Sequence, residues 1–317
     1  MRIENKDISL IIPTINRPGN VDRLLGTLQD FGYLNRLGFK PVVVDSSMDK
    51  LTKDVAKKYF VDYIPAIGMG KSKAMNFAIK QITCEYIAFL DDDIIITNTN
   101  WLDNLMSNFT DNNVAYVSGR VIAANTGNEA AKKWEDKGAL NKGSRRIEVG
   151  NKFFNKFRLK GVPVNLVTMG ANHVVRREII NEIGAHDEKF GPGELIEGAG
   201  ADLDLTYKIL KNGYSIVYDP NAIVAHHHPD SLKELRSKLF LYGISDTAIH
   251  MKFLIEFKDI RSLFQLIYRP AQNLWRMFKS LLGKYPLSAD MLMAGIIGNL
   301  IGPIKYIKYK NYFNKSK

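Results

Sequence analysis

This 317-residue sequence has almost no cysteine, because Cys84 is the only one. No intrachain disulfide can form, and a zinc site built on several thiolates is excluded. Long apolar runs are also missing: residues 291–304 reach only about two-thirds of the length that a bilayer-spanning helix needs. These absences fit a protein of the reducing cytoplasm, and attachment to the inner face of the cell membrane is left open.

The first 230 residues are nearly neutral, because they carry 29 Lys and Arg against 28 Asp and Glu. Residues 231–317 carry 15 against 5, so almost all of the net charge of +11 lies in the C-terminal quarter. This split predicts two regions with different tasks. Since no recognition motif accompanies the basic region, we do not expect a nucleic-acid partner. Residues 1–6 lack the charged-then-apolar order of a secretory leader, so we expect none.

Short β-rich runs alternate with helical patterns up to residue 230, which is typical of a parallel sheet flanked by helices. From residue 231 onward the pattern is helical, with Phe and Leu interleaved with Lys and Arg. We interpret this part as amphipathic helices that pack on the domain, on a membrane surface, or on both. The predicted strands are residues 8–12, 41–44, 86–90, 114–118, 164–169, 215–218 and 222–225, and the predicted helices include residues 21–28, 74–82 and 201–212.

Three consecutive acids, Asp91, Asp92 and Asp93, follow the predicted strand at residues 86–90. Adjacent carboxylates at the end of a buried strand repel one another unless a cation or several donors offset their charge. Alternate residues of an extended segment point the same way, so Asp91 and Asp93 are expected to face a common site. Oxygen ligands of this kind suit Mg²⁺ or Mn²⁺, particularly beside substrate phosphates. The alternative is a solvated turn with helix-capping acids.

The segment at residues 9–17, Ser-Leu-Ile-Ile-Pro-Thr-Ile-Asn-Arg, resembles the opening strand and loop of inverting family 2 glycosyltransferases. Residues 70–76, Gly-Lys-Ser-Lys-Ala-Met-Asn, resemble the family's next element, and the acidic triplet resembles its D-x-D motif. The resemblance implies an α/β GT-A fold, a Rossmann-like mixed sheet flanked by helices. It implies a catalytic domain over residues 1–230. The region that follows, residues 231–317, lies outside the resemblance and is predicted from its charge and pattern to be a basic amphipathic helical extension. The nucleotide-sugar donor is then expected to contact Pro13, Thr14, Asn16, Arg17, Asp45, Gly70, Lys71, Lys73, Asn76, Asp91 and Asp92.

The same resemblance assigns the metal and the acceptor side. Asp93 is expected to bind Mn²⁺ or Mg²⁺ together with His226, although three consecutive histidines leave His228 as a second choice. The segment Gly170, Ala171 and Asn172 resembles the element that lies under the donor sugar and lines the acceptor side. The alternative for that segment is an ordinary strand-to-helix turn.

The predicted general base is Asp202, within Gly-Ala-Gly-Ala-Asp-Leu-Asp-Leu at residues 198–205. The family usually has Glu-Asp before this helix, and this chain has Ala201 in place of the Glu. The alternative is that Asp202 only caps the helix, and we interpret Asp204 as a first-turn acid favoured by the helix dipole.

The implied activity is metal-dependent, inverting and non-processive transfer of a sugar from a nucleotide diphosphate to a glycan, lipid-linked or other hydroxyl acceptor. The extension lacks the Gln-x-x-Arg-Trp motif of processive synthases, and its basic charge suits an anionic membrane surface. The alternatives are a sugar-phosphate nucleotidyltransferase of related fold and a non-catalytic nucleotide-sugar-binding scaffold.

Overall fold

A mixed nine-stranded sheet forms the centre of the molecule, which a computed structural model describes over residues 7–138, 140–158 and 161–312. Residues 1–6, where no leader is predicted, and the last residues of the predicted extension, 313–317, lie outside the described residues. The strands are β1 (Ile8–Thr14), β2 (Phe39–Asp45), β3 (Asp62–Pro65), β4 (Tyr86–Leu90), β5 (Ile94–Ile96), β6 (Val114–Ala123), β7 (Ile147–Val149), β8 (Asn172–Arg176) and β9 (Ser215–His226). Their order is β3-β2-β1-β4-β8-β6-β9-β5, and β7 also pairs with β9.

The sheet is parallel only in part. Strands β3, β2, β1 and β4 run parallel, whereas β8 runs antiparallel to its neighbours β4 and β6. The purely parallel sheet suggested by the alternating pattern is therefore wrong, and the mixed α/β sheet implied by the GT-A resemblance is confirmed. The carboxyl ends of β1, β2 and β4 lie at one edge, where ligands bind in open sheets of this kind.

Helices cover both faces of the sheet. The helices are α1 (Pro18–Asp30), α2 (Leu51–Lys58), α3 (Lys71–Ile79), α4 (Trp101–Met106), α5 (Glu129–Asp136), α6 (Asn151–Asn155), α7 (Arg177–Ile183), α8 (Ala201–Lys211), α9 (Leu232–Phe257), α10 (Arg261–Leu281) and α11 (Ala289–Tyr309). Along β4, Ile87 and Phe89 enter the core under α3 and α8, while Ala88 and Leu90 enter the core under α1 and α4. Since both faces are buried, the inner strands are continuously apolar.

Three of the predicted strands differ from the structure. Residues 163–166 form a short 3₁₀ turn (Pro163–Leu166), and the strand begins later, at Asn172. Val164 and Val167 are fully buried, and a short buried apolar run does not by itself distinguish a strand from a helical turn. The two predicted strands at residues 215–218 and 222–225 are one strand, β9, with a register shift against β6 between Gly119 and Arg120.

The last three helices pack closely because glycine residues leave no side chains at the points where they meet. A Cβ atom on Gly243 of α9 would overlap the carbonyl oxygen of Gly295, and one on Gly298 of α11 would overlap the carbonyl oxygen of Phe240. Asn299 of α11 donates a hydrogen bond to the Gly243 carbonyl at 3.0 Å. Among the helices in the described ranges, none combines the length and hydropathy that crossing a bilayer requires.

Candidate functional site

One cavity of about 920 Å³ lies at the carboxyl edge of the sheet. The loop after β1, the end of β4 and the first turn of α3 form one side, and the start of α8 forms the floor. Helices α9, α10 and α11 close the opposite side. The C-terminal helices therefore contribute to the site as well as enlarging the fold.

The side chains of the acidic triplet at the end of β4 point in two directions. Ligand atoms of Asp91, Asp93 and His226 all lie within 4.8 Å of one another, and His226 Nε2 is 3.2 Å from Asp93 Oδ1. Asp92 points elsewhere: its carboxylate accepts hydrogen bonds from Thr14 Oγ1 at 2.7 Å and Arg17 Nη1 at 3.2 Å. The alternation expected for an extended segment thus separates one acid, which orders the β1 loop, from two that face His226.

Burial controls the protonation of this group. Burial raises the pKa of Asp93, and the neighbouring charge of Asp91 raises it further. Burial also raises the pKa of Asp91, but the ammonium of Lys71 beside it lowers that pKa by more, so the net direction is downward. Burial, followed by the positive charge of Lys238, lowers the pKa of His226 to about 3. At neutral pH the imidazole is therefore uncharged, which is the form that binds a metal.

The residues present fit a divalent cation. Asp93 Oδ1 and His226 Nδ1 are buried and have no hydrogen-bond partner within the described part of the chain. Two carboxylates and a neutral imidazole are ligands that Mn²⁺ accepts, and substrate phosphate oxygens would complete its coordination. Lys71 holds one oxygen of Asp91 in an ion pair, so a cation would share that carboxylate with an ammonium.

Asp202 lies at the start of α8 and borders the same cavity. Its Oδ1 is 3.6 Å from His186 Nε2, and its side chain is 24% exposed. Burial raises the pKa of Asp202, but His186, His173 and Lys71 lower it by more, so it lies well below the usual range. The carboxylate is therefore ionised at neutral pH. Gly170 lies directly against this carboxylate, where a Cβ atom would overlap it.

Two buried histidines behind Asp202 were not among the predicted residues. His173 is stacked between Phe89 and Tyr116, each 4.7 Å away between ring centroids, and burial lowers its pKa to about 4. Ligand atoms of His173, His186 and Asp202 lie within 4.8 Å of one another. Because the side chain of His186 is fully covered, this group suits the positioning of one carboxylate. The only sign of this group in the sequence is a histidine at the start of β8, His173, and another before α8, His186.

The cavity gathers most of the predicted residues but not all. Asn16 is exposed beside it, with its backbone N–H bonded to Ser47 Oγ at 2.7 Å. The remaining exceptions, Asp45, Lys73, Asn76 and Asn172, are held by contacts within the protein. The predicted residues that border the cavity are Pro13, Thr14, Arg17, Gly70, Lys71, Asp91, Asp92, Asp93, Gly170, Ala171, Asp202 and His226.

Asp45 and Asn172 are fully buried. Asp45 accepts hydrogen bonds from the Ser47 backbone N–H at 2.9 Å and from the Tyr63 hydroxyl at 2.9 Å, so the contact with a base predicted for it would require Tyr63 to move. Asn172 accepts a hydrogen bond from Trp101 Nε1 at 2.8 Å and donates one to the Ala222 carbonyl at 2.9 Å. Through these contacts Asn172 joins β8, α4 and β9.

Polar groups of α3 that were expected to face the donor form hydrogen bonds within the protein. The Lys71 backbone N–H bonds to the Pro192 carbonyl at 2.9 Å, and the Lys73 backbone N–H bonds to Glu194 Oε1 at 3.0 Å. Asn76 donates a hydrogen bond to the His186 carbonyl at 2.9 Å. The backbone amides of Lys71 and Lys73 are thus bonded within the protein, while the Lys71 residue borders the cavity.

The three histidines after β9 have different surroundings. Only His226 lies with Asp91 and Asp93. His228 is not part of this group, and its Nε2 is 2.9 Å from Glu135 Oε2 on α5. Asp204 lies in the first turn of α8, as expected, and it is fully buried with its Oδ1 2.5 Å from Lys252 Nζ.

The sequence profile of glycosyl transferase family 2 matches residues 9–184, more than half of the chain and including the acidic triplet. The chain belongs to glycosyl transferase family 2. The residues matched include the strands and loops that carry Thr14, Lys71 and Asp93, while Asp202, His226 and the last three helices lie beyond them.

Two curated relatives are moderately similar. A pre-mycofactocin glycosyltransferase of Mycobacterium tuberculosis is 27% identical over 256 residues, which cover 78% of this chain and 48% of that protein. The chain thus spans about half the length of that relative. The O-antigen chain rhamnosyltransferase WbaN of Salmonella anatum is 24% identical over 245 residues, which cover 74% of this chain and 71% of that protein.

Solved structures support the fold. The mannosyltransferase PcManGT from Pyrobaculum calidifontis, in complex with GDP-Man and Mn²⁺, has a TM-score of 0.62 at 16% identity and covers 94% of this chain and 87% of its own. Glucosyl-3-phosphoglycerate synthase from Mycobacterium tuberculosis, in complex with Mg²⁺ and UDP, has a TM-score of 0.50 at 15% identity and covers 79% of each chain. The first match is long enough to include much of the C-terminal helical region.

Proposed function

We propose that this chain transfers one sugar from a nucleoside diphosphate donor to an acceptor hydroxyl by a single inverting displacement that depends on a divalent metal. The observation that carries the proposal is a single cavity bordered by both the Asp91, Asp93 and His226 group and the ionised carboxylate of Asp202. One group suits the diphosphate end of a nucleotide sugar, and the other suits an acceptor. Family membership and the relatives named as sugar transferases support the reaction class.

Asp202 is the general base of this proposal. Its depressed pKa keeps it deprotonated, so it takes the acceptor's proton only as the attacking oxygen gains positive charge at the anomeric carbon. His186, 3.6 Å away, and Gly170, in direct contact, fix the orientation of the carboxylate. No nucleophile of the enzyme is needed, because the acceptor oxygen attacks the sugar directly.

Asp91, Asp93 and His226 would hold Mn²⁺ or Mg²⁺, which supplies positive charge for the departing diphosphate when it is bound. Lys71 adds a fixed ammonium at the same place. Arg17 and Thr14, ordered by Asp92, border the nucleotide side of the cavity. In this arrangement Asp92 does not contact the donor itself but positions Thr14 and Arg17, which do.

The first test is calorimetric titration with UDP, GDP, dTDP and CDP, each with and without Mn²⁺. We expect one diphosphate to bind only with the metal, and Asp93→Ala to abolish that binding. Asp30→Ala, which removes an exposed acid at the end of α1, is the matched control and should bind normally. Failure of all four diphosphates to bind the unmodified protein would refute the donor site.

The second test separates binding from chemistry. Asp202→Asn should keep the metal-dependent affinity for the diphosphate and lower turnover of the nucleotide sugar by about 100-fold or more. Turnover is measured as diphosphate release in the presence of a lipid extract or a soluble glycan extract. Undiminished release by the variant would contradict the assignment of the base.

We also propose that the extension, residues 231–317, attaches the enzyme to an anionic membrane surface. Helix α10 leaves Trp275 56% exposed and Leu281 71% exposed, and α11 leaves Ile304 67% exposed. Lysine side chains such as Lys279 and Lys305 lie on the same two helices. An apolar helix face with basic residues around it suits the interface of a bilayer that contains anionic lipids.

The membrane proposal is tested by sedimentation with phosphatidylcholine vesicles, with and without phosphatidylglycerol, at low salt. The protein should bind only the anionic vesicles, and replacing Trp275 and Leu281 by Ser should weaken binding by about tenfold or more. Leu37→Ser, at an equally exposed position before β2, is the control and should have no effect. Equal partition of the protein to both kinds of vesicle, or to neither, would refute the proposal.

A further inference from the structure

A cluster of three cations on α9, α10 and the end of α5 lines part of the cavity wall. The ammonium groups of Lys137 and Lys238 lie over the same buried indole, 4.0 Å and 5.0 Å from the ring centroid of Trp134. Arg276 of α10 faces the same space, and its charge acts on Lys137. We call Lys137, Lys238 and Arg276 the cationic cluster. All three are half-buried and border the cavity.

The cluster is not neutralised by the protein. None of its three members forms an ion pair with a carboxylate in residues 7–138, 140–158 and 161–312. Asp246 is the acid whose negative charge acts on the pKa of Lys137, which it raises. Its Oδ2 is already paired with Arg269 Nε at 3.0 Å. Burial, then the charges of Arg276 and Lys238, lower the pKa of Lys137 to about 8. Like charges held together in a partly desolvated wall indicate a site for an anion.

A second depression, of about 450 Å³, continues from the cluster along α10. Its walls include the aromatic rings of Tyr268, Trp275 and Tyr285. Arg276 and Tyr285 border both this aromatic groove and the main cavity, so the two spaces meet at the cluster. A ligand lying across the junction would place its charged group on the cluster and an apolar part in the groove.

We propose that the acceptor is an anionic amphiphile: a phosphate group of the acceptor binds Lys137, Lys238 and Arg276, and its hydrocarbon part lies in the aromatic groove. Arg in particular pairs with phosphate through two parallel N–H···O bonds. The hydroxyl end of such an acceptor then extends toward Asp202 on the floor of the same cavity. This inference rests on the proposed transfer reaction and names the class of its acceptor.

The cations of the cluster are different from those that pair with the acidic triplet. Lys71 and Arg17, the cations of the nucleotide side, are already paired with Asp91 and Asp92. Lys238 and Arg276 lie on α9 and α10, beyond the residues that the family profile matches. Lys238 is nonetheless close enough to lower the pKa of His226, which places the cluster next to the reacting centre.

The experiment compares two ligands on the intact protein. Decyl phosphate, kept below its critical micelle concentration, and inorganic phosphate are titrated by tryptophan fluorescence, and each nucleoside diphosphate is titrated with Mn²⁺ by calorimetry. The variants are Lys238→Gln, Arg276→Gln and the double substitution. Lys238→Arg keeps the charge, and Lys233→Gln, which removes an exposed lysine of the same helix, is the matched control.

We expect decyl phosphate to bind the unmodified protein, and the double variant to weaken it by about 100-fold, roughly tenfold for each lost charged hydrogen bond. Diphosphate affinity should change less than about twofold in Arg276→Gln, which leaves the Lys238 charge beside Asp93 and His226 in place. Lys238→Arg and Lys233→Gln should bind decyl phosphate normally. Inorganic phosphate should bind at least about tenfold more weakly than decyl phosphate, because the groove then contributes nothing.

Several results would overturn the inference. If Arg276→Gln loses diphosphate and decyl phosphate affinity together, the cluster serves the donor. If inorganic and decyl phosphate bind equally well, the groove does not hold the apolar part. If a diphosphate binds and decyl phosphate does not, the acceptor class is wrong while the proposed transfer reaction stands. Failure of the transfer reaction itself would instead appear as the absence of any metal-dependent diphosphate binding.

Discussion

Lys252→Met should destabilise the protein strongly because it leaves two carboxylates buried without their shared cation. Lys252 Nζ is 2.5 Å from Asp204 Oδ1 and 2.6 Å from Asp187 Oδ2, and it is nearly inaccessible. Removing one partner of a buried ion pair typically costs about 3–5 kcal/mol. Lys208 and Lys189 still lie 3.3 Å and 3.1 Å from the two acids, so we expect the lower end, about 3 kcal/mol.

The pH dependence of this loss follows from the directions of the pKa shifts. Burial raises the pKa of Asp187, but Lys252 and Lys189 lower it by more, so its stabilisation is present above the unfolded pKa and is lost as pH falls through the folded pKa. Burial lowers the pKa of Lys252, but Asp204 and Asp187 raise it by more, so its stabilisation is present below the unfolded pKa and is lost only at strongly alkaline pH. The full stabilisation of the folded state by these ion pairs is therefore present from about pH 5 to about pH 9. In Lys252→Met, proton uptake by Asp187 should narrow the difference from the unmodified protein as pH falls toward about 4.

The assay is urea unfolding at neutral and acidic pH, supported by a thermal melt in which about 3 kcal/mol corresponds to roughly 6 °C. The double variant Lys252→Met with Asp204→Asn should recover part of the loss, since one uncompensated charge is removed. Lys233→Met, on the exposed surface of the same helix, should stay within about 0.5 kcal/mol of the unmodified protein. A loss below about 1 kcal/mol, or one that does not change with pH, would refute the reasoning.

Three further outcomes follow from the structure. Gly170→Ala places a methyl group where the Asp202 carboxylate lies, so turnover should fall by about 100-fold with diphosphate binding retained, and weakened binding would contradict this. His226→Ala should lower the Mn²⁺-dependent affinity for the diphosphate by about tenfold or more in calorimetry, and an unchanged affinity would remove His226 from the metal site. Gly298→Leu inserts a side chain where α9 and α11 meet, so it should cost about 1–3 kcal/mol in urea unfolding, whereas a neutral result would show that the helices can separate without loss.

Much of the fold could be predicted from local patterns because those patterns reflect burial. Residues 86–90 are apolar and form β4 within the predicted bounds, and the acids that follow it lie at the ligand-binding edge of the sheet. The helix predicted at residues 201–212 matches α8, which places Asp202 in its first turn. The confinement of positive charge to residues 231–317 matches the change from an α/β domain to three long helices.

The roles of individual polar side chains depended on partners far along the chain. Asn76 is bonded to the carbonyl of His186, 110 residues away, and Asn172 to Trp101, 71 residues away. Both belong to motifs that predict ligand contacts, yet a buried amide must satisfy its own donors and acceptors first. No local pattern reveals such a partner, because hydrogen bonding of a side chain depends on which elements the fold brings together.

The sequence by itself therefore determined the family, the core strands and the order of the candidate catalytic residues, since each depends on residues that are neighbours in the chain. Only the tertiary structure shows which histidine lies beside Asp91 and Asp93: His226 does, whereas His228 contacts Glu135 of α5. Only the tertiary structure also placed Lys238 and Arg276 on the cavity that Asp202 borders. Local propensity makes the C-terminal helices, but long-range packing through glycines positions them over the site.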